Sequence, residues 1–397
     1  MPFFFGRKLA RQSTCEQKHV TIISFTGRLR TKQISVVQDA IKLLNDTRTV
    51  LLALKPGFGK TVISVFLVTR FLSPKRKTLV LIKASILQSQ WLDSFNNFSD
   101  AKAICVPSSS DPKKIRNEFD KAVELVDVII CMYRRVDKIP SNVIASVDIL
   151  IVDECDEFAT HDKVDSLLAT TPSYVICATA TPEREDGMHR MLRCMVGYND
   201  VQRSQYDPNL TITKINTPFE PDIEFNSSGD IMWSTMVKSL LELEERNIML
   251  MDLVIECVKD GDKIIILTDR VFHPPLIKKM IEEKDNSITV DVMYGDKKSY
   301  SDSDVLIATK SKLGRGFDEE SFCPDYDGIR LNVLIIAISV KNKYTLQQYI
   351  GRVQRSDNPK VFFFVDQHCI HEKHWTICRK LYVDRGAIIR EICLDEF

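Results

Sequence analysis

The segment Val50-Leu-Leu-Ala-Leu-Lys-Pro-Gly-Phe-Gly-Lys-Thr61 lies in the first quarter of a chain of 397 residues, and the fold class follows from it. Its apolar run, 50–54, predicts a strand buried on both faces, and an amphipathic helix is expected to begin near Val62. The glycine-containing turn between them would present backbone N–H groups and the positive end of the helix dipole to an anion. The segment therefore predicts a phosphate-binding loop in an α/β fold.

The side chains at the end of this segment suit a nucleotide bound with magnesium. Lys60 is expected to reach the β and γ phosphates of ATP, and the Thr61 hydroxyl is expected to bind Mg²⁺. The predicted cofactor-binding loop residues are Pro56, Gly57, Phe58, Gly59, Lys60 and Thr61.

An acidic turn follows a second apolar run, 149–152, about ninety residues downstream. Carboxylates after a buried strand lie at the carboxyl edge of the sheet, where doubly wound folds bind ligands. Asp153 is expected to hold Mg²⁺ through its water shell, and Glu154 to act as general base on the attacking water. Acidic turns are also common as plain solvated loops, but the pairing with Lys60 and Thr61 favours a nucleotide site.

Short apolar runs alternate with amphipathic segments along the whole chain, which is typical of parallel strands joined by helices. We predict strands at 50–54, 78–82, 126–131, 149–152, 174–178, 263–267, 289–292, 305–308, 333–337 and 361–365, and a long helix at 231–259. The predicted organisation is an N-terminal arm (1–25), a first α/β domain (26–215), a linker (216–230) and a second α/β domain (231–397).

Composition restricts the class of protein. Lys plus Arg and Asp plus Glu number 54 each, which excludes a histone-like basic binder and requires any nucleic-acid contact to come from a local patch. The eleven cysteines lack paired spacings, so reduced thiols in an intracellular protein of the cytoplasm or nucleus are expected. We find neither a signal sequence nor an apolar run long enough to cross a bilayer, and expect no membrane partner.

Further segments follow in a recognisable order. They are Leu29-Arg-Thr-Lys-Gln33, Thr179-Ala-Thr-Pro182, Val305-Leu-Ile-Ala-Thr309, Gly314-Arg-Gly-Phe-Asp318 and Gln348-Tyr-Ile-Gly-Arg-Val-Gln-Arg355. Together with the phosphate loop and the acidic turn, they resemble the motifs of superfamily 2 helicases over about residues 29–365. The first glycine of the usual phosphate-loop pattern is Leu54 here, and the compact Pro-Gly-x-Gly-Lys-Thr form is one that helicase-type ATPases use.

The resemblance implies two tandem RecA-like domains, each a mostly parallel sheet with helices on both faces, that hydrolyse ATP with Mg²⁺. It implies that Arg30 and Gln33 contact the adenine end, that Gly316 and Asp318 approach the nucleotide, and that Arg352 and Arg355 act as catalytic arginine fingers. Residues that couple hydrolysis to strand movement would be Thr179, Thr181 and Gln348. Nucleic-acid contacts would come from Lys83, Tyr133, Arg134, Thr268, Arg270 and Thr309, in loops after strands.

Finer features are similar to the xeroderma-pigmentosum-B-like helicases and to the poxviral transcript-release helicase. They include Thr181-Pro-Glu-Arg-Glu-Asp-Gly187 and Glu244-Glu-Arg-Asn247, whereas Asp156 stands where some relatives have histidine. The resemblance implies DNA rather than RNA as partner, with roles in transcription, repair or replication. The compact length is similar to that of helicases from large DNA viruses, and a viral origin is expected only by this analogy. A translocase that strips proteins or transcripts without unwinding, and a non-catalytic scaffold, are the alternatives.

A histidine and cysteine cluster near the C-terminal end could suggest a metal site. Zinc sites usually draw on two separated ligand pairs, and no second pair lies nearby in the sequence. Packing is therefore favoured over zinc for His368, Cys369, His371, His374 and Cys378.

Overall fold

The computed structural model describes residues 3–9, 23–108, 111–183, 186–203, 206–313, 317 and 319–393. The chain divides into two compact units, Met1–Ser204 and Gln205–Phe397. Each unit contains a seven-stranded sheet. All strand pairs recorded in the two sheets are parallel, which confirms the predicted pair of tandem α/β domains of the RecA type.

The first unit alternates strands with helices from the phosphate loop onward. Its strands are β1 (Thr49–Ala53), β2 (Lys77–Ile82), β3 (Ala103–Cys105), β4 (Val128–Met132), β5 (Val147–Asp153), β6 (Tyr174–Thr179) and β7 (Asp200–Gln202). Its helices are α1 (Phe3–Leu9), α2 (Thr31–Thr47), α3 (Lys60–Phe71), α4 (Ile86–Phe98), α5 (Lys113–Ala122), α6 (Ser141–Ala145), α7 (His161–Leu168) and α8 (His189–Val196), with 3-10 turns at Tyr133–Lys138 and Cys155–Phe158.

The second unit repeats this alternation. Its strands are β8 (Thr211–Asn216), β9 (Ile264–Thr268), β10 (Val290–Met293), β11 (Val305–Thr309), β12 (Val333–Ile336), β13 (Lys360–Val365) and β14 (Ile388–Cys393). Its helices are α9 (Trp233–Glu242), α10 (Glu244–Lys259), α11 (His273–Lys284), α12 (Lys310–Leu313), α13 (Glu319–Phe322), α14 (Lys343–Val353) and α15 (Cys369–Asp384).

Each sheet is covered on both faces. The strand order is β3-β4-β2-β5-β6-β1-β7 in the first sheet and β10-β11-β9-β12-β13-β8-β14 in the second. One apolar cluster of the first unit packs α2, α3 and α4 on one face, and another packs α5 to α8 on the other. The central strands are consequently apolar at nearly every position, as the sequence predicted. In the parts of the chain that are described, no helix is both long and apolar enough to cross a bilayer.

Two details of chain organisation differ from the sequence analysis. Strand β8 pairs with β13 and β14 of the second sheet, whereas the sequence predicts a first domain that extends to residue 215 and a linker from 216. Its partners lie far along the chain, so no local signal reveals the pairing. The helix predicted over 231–259 is two helices, because Leu243 takes an extended conformation (φ −68°, ψ 117°) between α9 and α10.

A buried ion pair connects four segments of the second unit. Arg246 of α10 is fully buried, and its Nε and Nη2 donate to Asp366 Oδ1 and Oδ2 at 2.7 and 3.0 Å. The same Nη2 donates to the Ala337 carbonyl at 2.6 Å, and the Thr217 hydroxyl donates to Asp366 Oδ1 at 2.7 Å. The ion pair therefore joins α10 to the residues that follow β8, β12 and β13.

We expect Asp366→Ala to destabilise the second unit by about 3–5 kcal/mol, because it leaves the buried Arg246 charge without its counter-ion. Denaturant unfolding, followed through tryptophan fluorescence, measures the change. Glu242→Gln is the control, since Glu242 and Lys238 form an exposed helical pair at 3.6 Å that is worth well under about 1 kcal/mol. Equal stability losses in the two variants would contradict the role given to the buried pair.

Candidate nucleotide site and nucleic-acid surface

The phosphate loop turns sharply between β1 and α3. Gly57 (φ 72°) and Gly59 (φ 91°) both occupy the left-handed region, which side chains with a Cβ rarely adopt. Gly59 is also closely approached, because a Cβ there would lie 2.3 Å from Gln33 Nε2. Helix α3 begins immediately afterwards at Lys60, so its first N–H groups face the loop. This geometry is that of a phosphate cradle.

Gln33 and Arg30 support the loop from α2. The Gln33 side chain donates through Nε2 to the Phe58 carbonyl at 2.9 Å and accepts from the Arg30 backbone N–H at 2.8 Å. Arg30 Nη1 lies 3.5 Å from the Gly57 carbonyl. Phe58 itself is buried in the core. Both predicted adenine-end residues thus lie against the phosphate loop, and their contact with adenine stays a prediction.

Lys60 and Asp153 lie within electrostatic reach of each other. Lys60 Nζ donates to the Leu54 carbonyl at 3.1 Å. The Asp153 carboxylate accepts from Trp91 Nε1 at 2.9 Å and from the Glu154 backbone N–H at 3.0 Å. Burial raises the pKa of Asp153, while these hydrogen bonds and the Lys60 charge oppose the rise. A cation beside this carboxylate would offset the same burial.

Glu154 has a strained backbone. Its φ of 47° and ψ of 51° place a non-glycine residue in the left-handed region, directly after β5. Such a conformation costs about 1–2 kcal/mol and persists where the surrounding fold imposes it, often at functional sites.

Asp156 joins the acidic turn to the segment after β6. Its Oδ1 accepts from the Thr179 hydroxyl at 2.7 Å, and its Oδ2 accepts from the Thr181 hydroxyl at 3.0 Å. The Thr181 backbone N–H also donates to the Thr179 hydroxyl at 2.9 Å. From the sequence, Asp156 is only a departure from the histidine of some relatives. Its position after β5 is the signal for this contact, since residues that follow neighbouring parallel strands meet at one edge of the sheet.

The predicted nucleic-acid residues of the first unit form a connected row. Lys83 Nζ lies 2.8 Å from Glu157, which also lies 3.5 Å from Lys163. The exposed Arg134 donates through Nε to the Tyr133 hydroxyl at 2.6 Å and stacks 5.2 Å from its ring centre. Tyr133 is only 9% exposed, so it supports Arg134 rather than presenting its own ring. Lys163 is a cation of this row that the sequence analysis missed.

In the second unit, the structure corrects the role of Thr268. Its side chain is fully buried, with Oγ1 2.7 Å from His273 Nδ1. His273 Nε2 lies 3.0 Å from Asn247 Oδ1, and burial lowers the pKa of His273 to about 3, so the ring is neutral. The Thr268 hydroxyl therefore holds the end of β9 and is inaccessible to a strand on the surface.

Two cations that neighbour Thr268 and Thr309 are better placed than these threonines to contact a nucleic-acid strand at the surface. Thr309 is buried at the end of β11, whereas Lys310 follows it and pairs with Asp269 at 3.5 Å. Arg270 is partly exposed and donates through Nη2 to the Ser234 carbonyl at 3.1 Å. Of the predicted contacts in this unit, Arg270 keeps a charged side chain at the surface, and Lys310 adds a second.

Two predicted cofactor-binding residues, Gly316 and Asp318, lie outside the described residues. Phe317 between them is buried, and its ring packs 6.0 Å from Tyr300 and 5.4 Å from Phe322.

The predicted arginine fingers lie at the end of α14, in unequal surroundings. Arg352 is buried, donates through Nη1 to the Phe317 carbonyl, and stacks 5.8 Å from the Phe317 ring centre. Arg355 follows the helix end and is partly exposed. Gln348 is buried within α14. Arg352 therefore supports Phe317, and Arg355 is the more accessible charge.

The histidine and cysteine cluster is engaged in packing. His374 Nδ1 lies 2.7 Å from the Ser339 hydroxyl, and Cys378 Sγ donates to the Val340 carbonyl at 3.0 Å. Within the described parts of the chain, no group of three or more His, Cys, Asp or Glu residues is arranged to hold a metal ion.

The chain is similar to several known proteins. The family model described as "Type III restriction enzyme, res subunit" matches residues 26–184. "Putative helicase 161L" of Invertebrate iridescent virus 6 is 26% identical over 389 residues, covering 92% of this chain and 83% of that protein. "Putative helicase 055L" of Frog virus 3 (isolate Goorha) is 26% identical over 373 residues, covering 92% of this chain and 80% of that protein.

Among solved structures, S. cerevisiae Dbp5 bound to RNA and ADP BeF3 aligns with a TM-score of 0.61 and 14% identity. The alignment covers 91% of this chain and 90% of that one, which shows a shared fold. Fold, motif order and relatives confirm the predicted superfamily. The family model and the viral relatives support the resemblance to superfamily 2 helicases, and the chain is an ATP-dependent helicase that acts on nucleic acid.

Proposed function

We propose that this helicase hydrolyses ATP with Mg²⁺ at loop 55–61 and moves along DNA in preference to RNA. The observation that carries the proposal is the glycine turn before α3, with Gly57 and Gly59 in the left-handed region, at the same carboxyl edge of the first sheet as Asp153. A cationic group, a partly buried acid and a glycine turn before a helix form one site that suits a metal-bound triphosphate.

Each residue of the site has a distinct chemical role in the proposal. The loop N–H groups and Lys60 bind the phosphates. Thr61 and Asp153 would hold Mg²⁺, which would supply positive charge to the phosphate oxygens. Glu154 accepts a proton from water as the water oxygen attacks the γ phosphorus and the bond to the β-phosphate oxygen breaks.

The second unit contributes positive charge to the same reaction. Arg355 offsets the charge that develops on the transferred phosphoryl group, and Arg352 acts with it while holding the segment at Phe317. The proposal includes Gly316 and Asp318 as residues that approach the nucleotide.

Coupling between hydrolysis and strand movement is assigned to Asp156 and its threonines. A change at the γ phosphate alters the acidic turn, and the two hydroxyl bonds of Asp156 transmit that change to Thr179 and Thr181. Gln348 has the corresponding proposed role in the second unit.

The strand is proposed to lie along two groups of cations that follow strand ends. Lys83, Lys163 and Arg134 provide them in the first unit, and Arg270 and Lys310 in the second. These cations would contact the phosphate backbone, so the binding affinity depends strongly on salt concentration and little on base sequence. Partners in transcription or replication, and the likeness to the xeroderma-pigmentosum-B branch, stay predictions.

The family model named after a restriction enzyme subunit supports DNA, whereas one aligned structure contains RNA. We therefore expect single-stranded or duplex DNA to stimulate ATP hydrolysis more than RNA of equal length does. Phosphate release measured with each nucleic acid tests the preference, and equal or greater stimulation by RNA would reverse it. A strand-displacement assay then separates unwinding from translocation.

Glu154→Gln supplies the matching test of the active site, because it retains size and hydrogen bonding but removes the base. Hydrolysis should fall severely while ATP binding persists. Asp165→Asn is the control, since Asp165 is an exposed carboxylate on α7 in the same unit. Normal turnover by Glu154→Gln would remove this residue from the proposal, and inactivity of both variants would point to a folding defect.

Arg355→Ala is expected to lower single-turnover hydrolysis by about 10³-fold, with little change in ATP affinity, because a finger acts on charge in the transition state. Rapid-quench hydrolysis and nucleotide titration measure the two quantities separately. Arg379→Ala is the control, since Arg379 is exposed on α15. A purely structural Arg355 would instead show altered thermal unfolding and impaired nucleotide binding.

Thr181→Val is expected to reduce strand displacement more than ATP hydrolysis, because it removes one of the two hydroxyl bonds to Asp156 and keeps the shape of the side chain. Both rates are compared under the same ATP and DNA concentrations. Thr170→Val is the control, since the buried Thr170 hydroxyl has no hydrogen-bond partner among the described residues. Equal losses of displacement and hydrolysis would assign Thr181 to structure alone.

A further inference from the structure

A cavity of about 410 Å³ opens beside the proposed strand path in the second unit. Trp233 of α9 and Lys310 line the cavity, together with Ser339, Lys341 and His374. These residues come from four separate segments of the chain. The volume is within the range of about 300–1,000 Å³ that ligand pockets occupy.

Trp233 is held at the cavity wall by its surroundings. Its ring centre lies 5.3 Å from that of His374 and 5.9 Å from that of His371, in tilted and edge-on arrangements. The Met232 backbone N–H donates to the Glu224 carbonyl at 2.8 Å, which fixes the chain just before α9. Arg270 also donates to the Ser234 carbonyl, directly after the tryptophan. The indole is therefore a positioned platform.

The charge at this wall favours an anion. Burial lowers the pKa of His374 to about 4, and His371, Lys341 and Lys310 lower it further, so the imidazole is neutral at pH 7. Lys310 and Lys341 both line the cavity. Asp269 faces Lys310 at 3.5 Å and is the carboxylate that pairs with it. Lys341 is exposed.

We propose that this cavity receives one nucleobase of the bound strand, which stacks on Trp233 while Lys310 and Lys341 contact the phosphates on either side. Proteins bind single-stranded nucleic acid by combining an aromatic side chain, on which a base stacks, with cations that contact the phosphates. Stacking of this kind accepts any base. The inference rests on the proposed nucleic-acid function and adds a base-holding site to contacts that are otherwise made to phosphates.

Tryptophan fluorescence gives a direct readout on the full chain. Of the three tryptophans, Trp91 and Trp375 are buried at 1% and 5% exposure, so quenching by a bound base reports on Trp233. We expect a single-stranded DNA oligonucleotide to quench the emission, and an abasic oligonucleotide of equal length to bind with much less quenching. Trp233→Phe should bind the normal oligonucleotide without quenching.

Affinity measured by fluorescence anisotropy of a labelled strand tests the energetic contribution. Trp233→Leu should weaken binding of the normal oligonucleotide by at least about fivefold, because a stacked base is lost, and should change abasic binding little. Lys341→Gln should reduce the slope of log affinity against log salt by about 1. Lys279→Gln, at an exposed lysine of α11, is the matched control and should leave the slope unchanged.

The outcomes separate this inference from the proposed function. Salt-dependent binding of the oligonucleotide without quenching, and with equal affinity for wild type and Trp233→Leu, overturns the base site and leaves the helicase proposal intact. Failure of the wild-type chain to bind any oligonucleotide overturns both. Thermal unfolding of each variant establishes that it is folded, and Trp233→Phe provides the test if the leucine variant is unstable.

Discussion

Thr179, at the carboxyl end of β6, makes the hydrogen bonds on which the nucleotide site depends. Its carbonyl accepts from the Leu54 backbone N–H at 3.1 Å, which holds the start of the phosphate loop. Its hydroxyl donates to Asp156 at 2.7 Å, which holds the acidic turn. Because β6 lies between β1 and β5 in the sheet, one residue sets the distance between the phosphate-binding and acidic parts of the site. Displacement at either part must strain the other.

The two units use buried carboxylates in different ways. Asp156 accepts hydrogen bonds from two neutral hydroxyls. Hydrogen bonds of this kind can be replaced by others at a modest free-energy cost, which suits a segment that moves during ATP turnover. Asp366 is satisfied by a bidentate arginine, whose loss would leave a buried charge unpaired. The second unit therefore has a rigid core beneath the surface that carries Arg270, Lys310 and Trp233.

The differences between expected and observed site residues share one cause. Thr268, Thr309 and Tyr133 follow strands as the motif order requires, yet their side chains turn into the protein. Sequence position places a residue in a loop at the strand end, but the direction of its side chain depends on the partner that hydrogen-bonds it. For Thr268 that partner is His273, a residue in which sequence reasoning found no role.

The alternation of apolar runs and amphipathic segments, and the order of the motifs, were enough to establish the fold class, most of the central strands and the glycine turn before α3. These features are local, since burial on both faces and the glycine turn are properties of neighbouring residues. Strands β3, β7, β8 and β14, the Asp156 network and the Trp233 cavity emerged only in three dimensions. Each depends on residues brought together from distant parts of the chain, and pairing at that range is set by packing and hydrogen bonding rather than by local pattern.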